Sequence, residues 1–225
     1  MILHHIYTKT LQGTFDILND EVLQVSAHYV VDESREIFRM VEEDKRAWHA
    51  GVSWWAGIVD LNSYSIGIEV RNRFRLEELQ PFSEQHIATL QWLLADICKR
   101  WQIPPKHILA HSDIATGRKV DPGCLFPWKT LAGSGGAIWP DNAECKDGDD
   151  ITHIADARRI FVEYAELFGY KPCDPNDMES FFVLLKAFQI HYRPESYRQG
   201  LEGGLTEGAL AVMQELAIHW PAEKL

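Results

Sequence analysis

The sequence predicts an α/β fold: a central sheet flanked by helices, followed by a small C-terminal three-helix module. Three observations predict it. Short apolar segments recur through the first half, at 1–7 (MILHHIY), 26–31 (SAHYVV), 65–70 (SIGIEV) and 107–110 (HILA), and runs of this length and type read as strands. A long amphipathic stripe lies between the last two of them. After Trp128 the composition shifts, and residues 151–225 carry helical spacing throughout.

The elements follow in order. The first strand covers 1–7. A helix is expected from Thr10 to about Gln24, on the spacing of Leu11, Phe15 and Leu18. Strands follow at Ala27–Val31 and Glu36–Val41. The Trp-, Gly- and Asn-rich stretch 47–65 reads as a long loop, and 65–70 as a strand that is apolar at Ile66 and Ile68. Ser83 suits the N-cap of a helix running to Trp101, with Ile87, Leu90, Leu94, Ile97 and Trp101 on one stripe and Lys99 and Arg100 in the last turn. Pro104-Pro105 stops it. GSGGA at 133–137 and DGDD at 147–150 mark a linker. This divides the chain into a domain at 1–140 and a helical module at 151–225. In the module, Thr152, the Asp174-Pro175 pair and Thr206 are the expected helix starts.

Composition bounds the function. The chain has 225 residues, 46% hydrophobic, and a net charge of -11. An acidic surface repels phosphate backbones, so nucleic acid is not an expected partner. No apolar run approaches the roughly 20 residues of a membrane helix, so no transmembrane segment is expected. Nothing at the N-terminus reads as a signal peptide. The four cysteines, Cys98, Cys124, Cys145 and Cys173, form no CxxC pair, which argues against a four-thiolate metal knuckle.

Ten histidines are many for this length. Imidazole and carboxylate groups at strand ends or in turns form the ligand set of a divalent metal when they face one point. His4 closes a short apolar run. His111 directly follows HILA. Asp121 stands before the Pro122-Gly123 turn. Each alone is also compatible with an ordinary structural role.

Taken together these segments resemble a known family. AHSDIATGRKVDPGCLFPW (110–128) resembles the second metal-binding segment of the zinc-dependent N-acetylmuramoyl-L-alanine amidases of type 2. AWHAG (47–51), LNSYSIGIE (61–69), SAHYVV (26–31) and AFQIHYRP (187–194) extend the resemblance over nearly the whole chain, closest to the periplasmic, outer-membrane-anchored branch. The resemblance implies a mixed central sheet with Zn2+ at the strand ends, bound by His111, Asp121 and an N-terminal histidine. The family's first-ligand pattern is apolar residues, His, any residue, then Thr or Ser. ILHHIYT departs from it, with Ile6 two residues after His4. His4 fits best, and His5 stays open if Tyr7-Thr8 is the anchor.

The resemblance further implies Glu69 as general base and Lys119, two residues before Asp121, as oxyanion stabiliser. His49 would stand on the active-site wall, either contacting substrate or packed behind the ligands. Asn72 and Arg118 are further candidates for binding the stem peptide, and Arg118 is also an alternative to Lys119 as oxyanion stabiliser. Trp48, Trp54 and Trp55 line either the groove or the core, and His28 reads as structural. The implied substrate is peptidoglycan or a muropeptide, the implied setting periplasmic or outer-membrane associated, and the expected state a monomer. The C-terminal module resembles a peptidoglycan-binding one, with plain packing as the other reading. Two other functions remain open at this point: a non-catalytic peptidoglycan binder with a degraded zinc site, motivated by ILHHIYT, and a zinc peptidase acting on peptides only.

Overall fold

The structure is a computed structural model that describes residues 1–78, 80–198 and 204–223. Five strands, β1 (Ile2–Tyr7), β2 (Tyr29–Val31), β3 (Ile37–Arg39), β4 (Gly67–Asn72) and β5 (Leu109–Ala110), form one sheet in the order β3-β2-β4-β1-β5. β1 runs parallel to β4 and β5, β2 runs parallel to β4, and only β3 is antiparallel to its neighbour, so the sheet is mixed. The helices in chain order are α1 (Leu11–Leu18), α2 (Leu61–Tyr64), α3 (Glu84–Trp101), α4 (His111–Ile114), α5 (Trp128–Gly133), α6 (Ala155–Phe168), α7 (Met178–Tyr192), α8 (Pro194–Arg198) and α9 (Glu207–His219).

The chain divides into two compact units. Met1–Val52, Asp60–His111 and Asp121–Ile138 make up the first. Ser53–Val59, Ser112–Val120 and everything from Trp139 onward make up the second. Two short segments from inside the span 1–140 therefore fold with the C-terminal part.

In the first unit, β1 and β4 sit in the middle of the sheet, and Leu3, Ile68 and Val70 are fully buried. α3 begins at the predicted cap: the Ser83 hydroxyl accepts the His86 N–H, and Gln102 closes the helix in the left-handed conformation. Leu90, Leu94 and Ile97 form its buried stripe. α1 is shorter than expected. Asn19 N–H bonds back to Phe15 and Ile17, and the Asp20 carboxylate takes the Val22 N–H, which diverts the backbone into a turn before Gln24. Part of the 47–65 loop becomes α2, and the Ser65 hydroxyl bonds to Leu61 O at its end. That engagement delays β4 to Gly67.

The second unit packs Phe161, Phe168, Phe181, Leu185, Phe188 and Met213 into one core. Two of its helix starts differ from expectation. The Thr152 hydroxyl accepts the Leu205 N–H at 2.6 Å instead of capping α6, and Ile154 takes the cap position and is exposed. Asp174 makes a local turn with the Asn176 N–H, and the cap of α7 is Asp177. Thr206 caps α9 as its sequence predicts. The unit also buries a carboxylate: Asp113 accepts hydrogen bonds from Tyr170 Oη and His191 Nδ1, both at 2.7 Å. Trp55 is buried here against Phe168 and Tyr170, so it is a core residue; Trp48 is exposed.

Candidate metal centre

Register in the sheet decides which side chains meet. His4 lies opposite Glu69 of the neighbouring strand, and parallel partners at one register point to the same face. On the other side, Ile2 pairs with Leu109 and Leu3 with Ala110, so the next residue, His111, emerges beside His4 as β5 ends. A ligand site at the carboxyl ends of parallel strands is the usual position in open α/β sheets.

His4, His111 and Asp121 each offer one donor atom to a common point. His4 Nδ1 and His111 Nδ1 are 2.9 Å apart. Asp121 Oδ2 is 3.0 Å from His111 Nδ1 and 3.6 Å from His4 Nδ1. Burial pushes the Asp121 carboxyl up, and a proton shared from the His111 and His4 imidazoles pulls it the other way, to well below the usual carboxylate range, so the carboxyl stays ionised whether a proton or a metal ion sits at this point.

The outer partners fix which imidazole nitrogens carry protons. His111 Nε2 lies 3.2 Å from Ala50 O. A carbonyl only accepts, so Nε2 holds the hydrogen and Nδ1 presents a lone pair. His49 Nε2 lies 3.4 Å from Ser65 O, and the same logic leaves His49 Nδ1 as acceptor. His4 Nε2, 3.0 Å from that Nδ1, then donates, and His4 Nδ1 is also a lone pair. Burial, reinforced by His4 and His28, pushes His49 well below the usual imidazole range, which keeps it neutral. Two imidazole lone pairs and a carboxylate thus crowd one point. That arrangement repels itself unless a cation sits between them.

Of the two adjacent histidines, only His4 joins the cluster. Strand alternation turns His5 to the other face, where its Nε2 meets Phe74 O at 3.2 Å and its ring packs edge-on to Phe82. Glu69 is half-buried on the His4 face. Asn72 is not brought to the cluster. It lies three residues on from Glu69, on the opposite face, buried, with Oδ1 accepting the Phe74 N–H at 3.0 Å. His49 is buried, and both its ring nitrogens are engaged within the protein. It backs His4, one of the two roles its sequence leaves open. Arg118 and Lys119 are exposed, and their N–H groups close a turn on Ala115 O within the second unit. His28 is structural, as its sequence suggested: Nδ1 accepts the Gly67 N–H and Nε2 donates to Lys45 O.

Two participants escaped the sequence reading. Ala50 acts through its carbonyl, which leaves no side-chain signal. Gly67 lies under the His49 ring, and a Cβ there would come within 2.3 Å of His49 Cγ. The glycine inside an otherwise apolar strand was the available clue, since such a glycine marks close approach.

Known proteins match this chain in sequence and in fold. Residues 1–124 match the family described as N-acetylmuramoyl-L-alanine amidase. The N-acetylmuramoyl-L-alanine amidase AmiD of Escherichia coli K12 is 38% identical over 213 residues, covering 88% of this chain and 76% of AmiD. The chain belongs to the N-acetylmuramoyl-L-alanine amidase family. It is an amidase of the type 2 class, and its activity is hydrolysis of the N-acetylmuramoyl–L-alanine amide.

The amidase fold extends over the whole chain. The structure of E. coli AmiD in complex with the substrate anhydro-N-acetylmuramic acid-L-Ala-D-γ-Glu-L-Lys is similar at a TM-score of 0.84 and 31% identity, over 97% of this chain and 88% of that one. The structure of AmpDh3 from Pseudomonas aeruginosa with anhydromuramic pentapeptide is similar at 0.80 and 33%, over 98% and 91%.

Proposed function

We propose that this amidase uses zinc, held by His4 Nδ1, His111 Nδ1 and Asp121 Oδ2, to hydrolyse muropeptides or peptidoglycan. The observation that carries the reading is the donor triangle with sides of 2.9, 3.0 and 3.6 Å. Tetrahedral zinc with bonds of about 2.0–2.1 Å sets its ligands about 3.3 Å apart. Two neutral imidazoles and one carboxylate also match a catalytic donor set, which keeps one position open. Bound there, zinc polarises the scissile carbonyl and acidifies water.

The remaining work falls to this chain's own groups. Glu69, beside His4 on the same sheet face, takes a proton from the attacking water and delivers it to the leaving amine of L-alanine. Lys119, exposed and two residues before Asp121, offsets negative charge developing on the carbonyl oxygen. Arg118 is the cation for a stem-peptide carboxylate. His49 holds His4 in the tautomer that binds metal. AmiD and AmpDh3 are each solved with an anhydromuramic peptide, which supports the same chemical class of substrate here. The proposed setting is periplasmic or outer-membrane associated. Among the described residues no helix is long and apolar enough to cross a membrane.

The test is digestion of a purified anhydromuropeptide, read by mass spectrometry. The expected products are the intact stem peptide and the lactyl sugar, with cleavage abolished by a chelator and restored by zinc. Cleavage within the peptide, or cleavage that persists after full metal removal, would overturn the reading.

A further inference from the structure

The two imidazoles of the cluster draw their outer partners from adjacent residues of one loop. His4 Nε2 donates to the His49 ring, and His111 Nε2 donates to Ala50 O. The position of this loop therefore sets the aim of both Nδ1 atoms. One side-chain atom takes the backbone N–H groups of both residues. Asn62 Oδ1 accepts the His49 N–H at 2.9 Å and the Ala50 N–H at 2.8 Å. Asn62 is itself only 7% exposed and is the second residue of α2.

The surroundings give the loop little freedom. The His49 ring rests on Gly67, and its Nε2 bonds to Ser65 O just past the end of α2. α2 thus grips the same loop twice, once at its backbone through Asn62 and once at its ring through Ser65. A buried carbonyl oxygen that receives two N–H groups is fully used, and its loss leaves both donors without a partner, a cost of about 1–3 kcal/mol for each buried group. The strained loop would relax by moving His49 and Ala50, and with them the imidazoles they orient.

We infer that Asn62 is a positioning residue for the metal centre, acting on both imidazole ligands at once while touching neither. The inference rests on the zinc reading above. Metal sites accept donor displacements of about 0.2 Å, so a small shift of the loop is felt at both ligands. Loss of an outer partner typically lowers metal affinity about 10–100-fold.

The experiment measures zinc affinity by chelator competition on the metal-free protein, for the unaltered chain, Asn62→Ala and Asn62→Asp. Circular dichroism first establishes that each is folded without metal. Asn62→Ala is expected to bind zinc about 10–100-fold more weakly. Asn62→Asp keeps an accepting oxygen and is expected to stay close to the unaltered chain. Equal affinity in all three, or equal weakening in both variants, would overturn the inference. Absence of zinc binding in the unaltered chain would instead overturn the zinc reading. Should Asn62→Ala not fold, imidazole nitrogen NMR of the zinc-loaded unaltered chain decides. Both His4 and His111 must be protonated at Nε2 and ligated through Nδ1, and ligation of either through Nε2 would overturn the inference.

Discussion

Glu69→Gln is expected to keep one zinc per chain and lose about 10²–10⁴-fold in kcat. The expectation separates two jobs that lie side by side in the sheet. His4 and Glu69 occupy the same register on neighbouring strands, with backbones about 4.8 Å apart. Both point to the face where His111 arrives from β5. Yet the donor triangle is complete without Glu69, because His4, His111 and Asp121 supply its three corners. The proposed role of Glu69 is therefore proton transfer and not metal binding. Glutamine preserves volume and hydrogen bonding but cannot take the proton, so metal content should hold while turnover falls. Metal analysis and steady-state kinetics on the same preparation check this. Full activity would exclude Glu69 as the base, and loss of zinc would make it part of the metal shell.

His111→Ala should have the opposite signature, losing metal and activity together. It removes one corner of the triangle and also the donor to Ala50 O. The fall in affinity should exceed the roughly 10–100-fold cost of losing an outer partner. Thermal unfolding gives a readout independent of catalysis. At zinc about 100-fold above Kd, binding stabilises the native state by about 2.7 kcal/mol. For a chain of this length that raises Tm by about 5–10 °C. The unaltered chain should show that rise on adding zinc, and His111→Ala should not. The same rise in His111→Ala would remove His111 from the ligand set.

The fold was largely legible because its elements are patterned at the right periods. α3 carries its cap, its stripe and its stop in sequence, and the structure places them where they are read except at Trp101, the last of the stripe, which is exposed at the helix end with its indole N–H donating to Glu43. β1 reads as a strand from its short apolar run, and β4 from the alternation of Ile66 and Ile68. Helix starts in the second unit were less legible for a physical reason. Thr152, Asp174 and Asp177 are all competent caps, and the Thr152 hydroxyl is diverted from that role by donating to Asp150 and accepting from the Leu205 N–H.

The cluster was legible in part. Residue type and strand-end position marked His4, His111 and Asp121, but the choice between His4 and His5 depends on which face β1 turns toward β4 and β5. That is a property of register, which no local pattern in ILHHIYT encodes. The outer partners were less visible still. Ala50 contributes a carbonyl, and Asn62 contributes an oxygen to two backbone amides twelve and thirteen residues earlier. Strand alternation places Asn72 on the face opposite Glu69, a consequence of β4 that the residue type alone does not show.

The central claim is that two imidazole nitrogens and one carboxylate oxygen, brought together by the ends of β1 and β5 and the turn at Asp121, bind a single zinc ion. X-ray absorption at the zinc edge, on protein loaded with one equivalent, tests it most directly. The account predicts stoichiometric zinc with a shell of nitrogen and oxygen only, at about 2.0–2.1 Å, including two imidazoles. A sulfur neighbour at about 2.3 Å, or failure to hold one zinc per chain, would contradict it.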